Sequence, residues 1–160
     1  EMYQVNKKVR EEYKKSYPID KNRIDDDEME MWEVLQDYLI NKCAEKGIII
    51  EVNPSSNVFI SSISEYKNHP LFRWSPLKDK HLKNGKRYNK FSLRNGKIAI
   101  CINSDDPSIF ATTIQNEFNI LKKTAIKSYK STDKEVKEWL EDFRKFGIEI
   151  FKESDSGRVS

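Results

Sequence analysis

Asp105 and Asp106 follow the apolar run Ile98-Ala99-Ile100-Cys101-Ile102 and the polar pair Asn103-Ser104, and Pro107 comes directly after them. Carboxylate oxygen is a good metal ligand and accepts hydrogen bonds from a bound water. A short, uninterrupted apolar run rich in isoleucine has the pattern of a strand buried on both faces. Proline cannot continue that strand and suits the first turn of a helix. The pair therefore falls at the carboxyl end of a buried strand, where α/β folds carry their chemistry. Asp before Pro is equally an ordinary turn or N-cap residue, and at this point both readings stand.

A second run, Ile48-Ile49-Ile50-Glu51-Val52, ends in the polar turn Asn53-Pro54-Ser55-Ser56-Asn57 and makes a second strand of the same kind. The other reactive side chains are sparse. His69 and His81 are too few and too scattered for a metal site unaided, and His69 before Pro70 reads as a structural residue. Cys43 and Cys101 have no Cys-x-x-Cys spacing and read as reduced core thiols in a cytoplasmic protein.

Helices must position these strand ends. Met2, Val5, Val9 and Tyr13 predict an amphipathic helix over 1–16, ended by Tyr17-Pro18. The acids Asp25 to Glu28 open a second helix that runs to about Lys46, with Met31, Leu35, Tyr38, Leu39 and Cys43 on its inner stripe and Gly47 as its cap. Residues 58–75 read as a loop and a short helix beginning at Pro70, with Leu71, Phe72 and Trp74 turned inward. Ile114, Phe118, Leu121, Ala125 and Tyr129 mark a further helix from Thr113. Thr132-Asp133-Lys134-Glu135 is a capping box for a last one, with Val136, Trp139, Leu140, Phe143 and Phe146 inward and Gly147 at its end. Residues 1–24 are thus a basic helix and connector, 25–153 the α/β part, and 154–160 a polar tail.

The chain has 160 residues and a net charge of only +3, so no global attraction to nucleic acid or membrane follows. No apolar run approaches a membrane span. Locally the balance differs: Lys78, Lys80, Lys83, Lys86, Arg87, Lys90, Arg94 and Lys97 face a single acid, Asp79, across 76–97. That segment reads as a surface insertion with turn pairs at Asn84-Gly85 and Asn95-Gly96. Tyr88 and Phe91 interleave with its cations, the pattern of a nucleic-acid or other polyanion contact. Two parallel-type strands are too few to close a sheet that buries both faces.

Taken in order, Ile50-Glu51-Val52-Asn53-Pro54-Ser55-Ser56-Asn57, His69-Pro70-Leu71, Asn103-Ser104-Asp105-Asp106-Pro107-Ser108-Ile109-Phe110 and Asn116-Glu117-Phe118 resemble the C-terminal part of the adenosine/AMP deaminase family. That family ends one strand in E-x-C-P-x-S-N and its last barrel strand in S/T-D-D-P. Asn53 departs from it, standing where the family has Cys. The basic insertion and the N-terminal helix also resemble large bacterial deaminase-like proteins, such as the deaminase component of the RADAR phage-defence system.

The resemblance implies a metal-dependent amidohydrolase on a (β/α)8 TIM-type barrel, with two parallel strands and flanking helices of that barrel present here. A complete barrel takes roughly 250 residues, so the chain corresponds to about the last quarter plus additions, and its partner is the missing N-terminal part of the barrel. By the same likeness Asp105 is the carboxylate ligand of a zinc ion and the residue that orients its water, and Asp106 holds the purine ring. The histidine ligands and proton-donating glutamate of the family have no counterpart in the sequence. Ser55, Ser56 and Asn57 brace the strand end. The implied activity is removal of the 6-amino group of adenosine or an adenine nucleotide. The alternative is a non-catalytic module that holds nucleic acid or another polyanion through 76–97, with Lys86, Arg87 and Lys90 essential. Unpaired strand edges in an incomplete barrel favour self-association into a homo-oligomer.

Overall fold

The structure is a computed structural model that describes residues 26–61 and 63–155; the helix expected over 1–16 lies outside them. The chain divides into two units, residues 1–36 and 37–160. Of the first, the described part is the start of helix α1 (Asp26–Glu45), with Asp26, Asp27 and Glu28 in the first turn, where the helix dipole favours acids.

The second unit begins within α1. The inward face here carries Asp37 and Ile40, with Cys43 packed against the core, while Tyr38 and Leu39 are exposed, as are Met31 and Leu35 in the first unit. This corrects the expected inner stripe. Asp37 is wholly buried and its Oδ1 lies 2.6 Å from the Arg73 guanidinium, so an ion pair rather than a leucine stripe sets the rotation of the helix. Gly47 ends α1 at φ +65°, with Ile48 N–H donating to the Cys43 carbonyl and Gly47 N–H to that of Ala44. These are the two bonds of a Schellman cap.

Strand β1 (Ile50–Val52) follows and pairs in parallel with β2 (Ile100–Ile102), Ile50 opposite Ile100 and Val52 opposite Ile102. The two form an open two-stranded sheet in a mostly helical α/β unit. Both strands are shorter than the apolar runs predict. Ile48 and Ile49 are exposed, Glu51 faces outward, and along β2 Ile98, Ile100 and Ile102 are buried while Ala99 and Cys101 are half-buried, so one face of the sheet is buried more deeply than the other.

Helix α2 (Pro54–Ile60) stands where a polar turn is expected: Pro54 at the first helical position is pre-set for a helix and lacks only an N–H that would go unpaired there. The short helix α3 (Leu71–Trp74) follows Pro70 with Leu71 and Phe72 buried. Helix α4 (Pro107–Phe110) leads from β2 to α5 (Ile114–Tyr129) and α6 (Asp133–Asp155). Helix α6 packs on β2 and on α5. Thr132 and Glu135 form the expected reciprocal cap, Thr132 N–H to Glu135 Oε2 at 2.8 Å and Glu135 N–H to Thr132 Oγ1 at 3.3 Å. Gly147 does not end α6. The helix runs on to Asp155 because Gly147 lies against Cys101 on β2, within tertiary packing that outweighs its weak helix propensity.

The core gathers Ile40, Val52, Ile100, Leu121, Val136 and Trp139 around Phe72. The Phe72 ring stacks on Tyr129 at 4.4 Å and on Trp139 at 5.6 Å, and the Trp139 indole N–H donates to the Ser75 carbonyl at 2.9 Å. Among the described residues no helix is long and apolar enough to cross a membrane.

Candidate functional site at the strand ends

The parallel pairing brings the carboxyl ends of β1 and β2 together, and the chain leaving each strand meets the other. Asn103 N–H donates to the Val52 carbonyl at 2.9 Å, extending the ladder to the first polar residue. Two residues on, Asp105 takes the left-handed backbone region at φ 59°, which Asp tolerates better than most side chains. That turn aims the carboxylate back at α2, where Ser56 Oγ donates to Asp105 Oδ2 at 2.6 Å. Ser56 is buried and Asp105 exposed, so one side of the carboxylate is anchored and the other faces out.

Asp106 performs the ordinary task open to it. Its Oδ1 accepts the Ser108 N–H at 2.8 Å and the Ile109 N–H at 3.3 Å, capping α4. The adjacent carboxylates thus diverge, one tied across the strand ends and the other to its own helix.

A third carboxylate completes the rim. Glu117, in the first turn of α5, is wholly buried, and its Oε2 accepts the Ser55 N–H at 2.9 Å. Its Oε1 accepts the Thr112 hydroxyl, which in turn receives Asn116 Nδ2 at 3.1 Å. Asn53, the N-cap of α2, makes no side-chain cap bond, so Glu117 supplies from a distance the acceptor that this buried helix start needs. The pattern Asn116-Glu117-Phe118 is the signal in the sequence. A carboxylate inside a helix otherwise reads as part of its wet face.

His69 is structural, as expected. Its Nδ1 accepts the Leu71 N–H at 3.1 Å, which leaves Nε2 protonated and donating to Asn57 Oδ1 at 2.9 Å. Burial holds the imidazole neutral, lowering its pKa to about 4 against a smaller opposing pull from Glu117. Asn57 also receives the Asn53 N–H at 3.1 Å, so it fixes the strand end as predicted. Burial, followed by the Glu51 carboxylate, pushes the Cys101 thiol up, away from reactivity.

A zinc site of the implied kind needs three protein ligands or more. Among the described residues no three His, Cys, Asp or Glu side chains converge to hold a metal. Both ring nitrogens of His69 are committed, and His81 sits in the insertion against Tyr88 at 5.6 Å. The residues present do not make a zinc site by themselves, and Asp105 is a single candidate ligand.

The insertion 76–97 is more built than its composition suggests. It has one 3₁₀ turn, Asp79–Leu82, around two buried polar residues. Asn89 donates to the carbonyls of Leu82 and Arg94, and Arg94 donates to those of Arg73, Trp74, Tyr88 and Gly96. Arg94 is therefore a brace and not an anion contact. Lys97 pairs with Asp79 at 2.8 Å, whereas Lys83, Lys86 and Arg87 are exposed.

Over about half its length the chain is distantly similar to bacterial adenine deaminases. It is 27% identical over 82 residues to the adenine deaminase of Sinorhizobium medicae, covering 51% of this chain and 19% of that protein. Against the adenine deaminase of Agrobacterium fabrum it is 29% identical over 80 residues, covering 50% and 19%. The chain thus spans about a fifth of the length of the curated relatives it matches. No protein-family model and no solved structure matches it.

Proposed function

We propose that this chain forms the strand-end portion of a deaminase-like hydrolase that removes the amino group of an adenine compound. The observation that carries this reading is the Ser56–Asp105 bond across two adjacent parallel strand ends, in a chain distantly similar to adenine deaminases. The sheet belongs to a (β/α)8-type barrel whose other strands come from polypeptide outside this sequence. Asp105 offers its outward oxygen to the reaction centre. In a metal-dependent enzyme it is one ligand, with the histidines supplied from outside the sequence. Asp106 caps α4 through Oδ1, and in this reading its other oxygen is the one that holds the substrate ring. Ser56 and Glu117 touch no substrate; they position the loop that carries Asp105 and the start of α2.

Adenine is the favoured substrate, because it is what the relatives are named for; adenosine and its phosphates are the alternatives. The intact gene product is given adenine, adenosine and AMP in turn, and ammonia release is followed with the ultraviolet change of the ring. Deamination of adenine in preference to adenosine is expected. Turnover of none of the three contradicts the reading.

A second reading keeps the insertion as a polyanion contact. It rests on Lys83, Lys86 and Arg87, with Arg87 lying 5.1 Å over the Tyr88 ring and Lys90 lying 5.0 Å over that of Phe91.

A further inference from the structure

A cavity of about 350 Å³ opens at the far end of α5 from Glu117, about 18 Å further along the helix at 1.5 Å per residue. It shares no residue with the strand-end rim. Its walls are the insertion, the turn Tyr66–Asn68 and the connection from α5 to α6. The volume lies within the range of small-ligand sites.

Charge and shape restrict what fits. Lys67, Lys78, Arg87 and Lys130 line the cavity, and no Asp or Glu does so among the described residues. Lys67 pairs with Glu65 at 3.0 Å and Lys78 with Glu135 at 3.7 Å. Arg87 and Lys130 form no ion pair among the described residues, and both are exposed. The carbonyl end of α5 opposes an anion here, and Lys130 at its C-cap offsets that.

The apolar wall is flat. Tyr129 ends a stack that runs from Trp139 through Phe72, and its hydroxyl donates to the Lys67 carbonyl at 2.7 Å, which fixes the ring. Burial and the neighbouring Tyr88 push its pKa up to about 12, so it remains a neutral ring.

We propose that this cavity binds a small phosphate ester carrying a flat ring, of the size of a nucleoside monophosphate. The phosphate lies between Arg87 and Lys130, and the ring lies against Tyr88 and Tyr129. Arg in particular suits the charge and geometry of phosphate, and aromatic rings accept any base. The site stands apart from the proposed reaction centre and does not depend on it.

Binding of AMP to the full chain, followed by calorimetry with adenosine and inorganic phosphate as companions, tests the proposal. Saturable AMP binding that weakens with salt is expected, with each companion at least about tenfold weaker. Arg87→Ala and Lys130→Ala each reduce AMP affinity about tenfold. Both side chains are exposed, so the melting temperature stays unchanged, and Asp105→Ala leaves AMP binding intact. Absent binding, AMP held no more tightly than phosphate, or indifference to both cation variants overturns the proposal. So does AMP binding lost with Asp105→Ala, which belongs to the strand-end site, or preference for a single-stranded oligonucleotide over AMP.

Discussion

Asp105 stands at φ 59°, a backbone region that costs most L residues about 1 kcal/mol, and the Ser56 hydroxyl 2.6 Å away fixes its side chain. The carboxylate pair was legible because an apolar strand, a polar step and a proline follow one another in the sequence. Its anchor was not, since Ser56 lies 49 positions earlier and only the parallel pairing brings the two together. Glu117 escaped for a related reason: its partners are a backbone N–H and a threonine hydroxyl, which leave no charge pattern. His69 carries a pH dependence whose sign follows from its surroundings. Its folded pKa, about 4, lies below the ordinary 6.5, so the unfolded chain takes up a proton that the folded chain refuses. The stability tied to this group is whole above about pH 6.5 and is lost as pH falls toward 4. Between pH 7 and pH 5 the native protein should lose about 2 kcal/mol more unfolding free energy in urea than the His69→Gln variant. Equal losses would remove His69 from the account.

Among the elements, end signals agree with the structure where a local cap forms and fail where packing decides. Gly47 and the Thr132–Glu135 box mark their helices because caps are local. Helix α2 was missed because Asn-Pro-Ser-Ser-Asn has turn composition, although Pro54 after Asn53 is also a helix start. Gly147 misled in the opposite direction, since the strand beneath it carries the helix through. The insertion shows the limit of composition most clearly. Arg94 counts as one of eight cations in the sequence, yet it is buried and binds four carbonyls. Arg94→Lys keeps the charge and loses the fork, so it should destabilise by about 2 kcal/mol. It should also speed chymotrypsin cleavage at Tyr88 and Phe91. Unchanged unfolding and unchanged cleavage would mean that 76–97 holds together without it.

For the molecule as a whole, a two-stranded parallel sheet with open edges and exposed Ile48, Ile49 and Phe59 is unusual, because parallel strands are ordinarily covered. The proposed barrel supplies that cover. Amide hydrogen exchange at Ile49 should therefore be at least about tenfold slower in the intact gene product than in this chain, and equal rates would argue against the barrel. The central claim is that the carboxylate at 105, held by Ser56, works in a deaminase centre. It is tested most directly by kcat/KM for adenine in the intact gene product carrying Asp105→Asn, a substitution that keeps the left-handed turn and the size of the side chain. A loss of about a hundredfold or more is predicted, with Ser56→Ala falling between it and the native protein. Native kcat/KM in the Asp105→Asn variant would contradict the account.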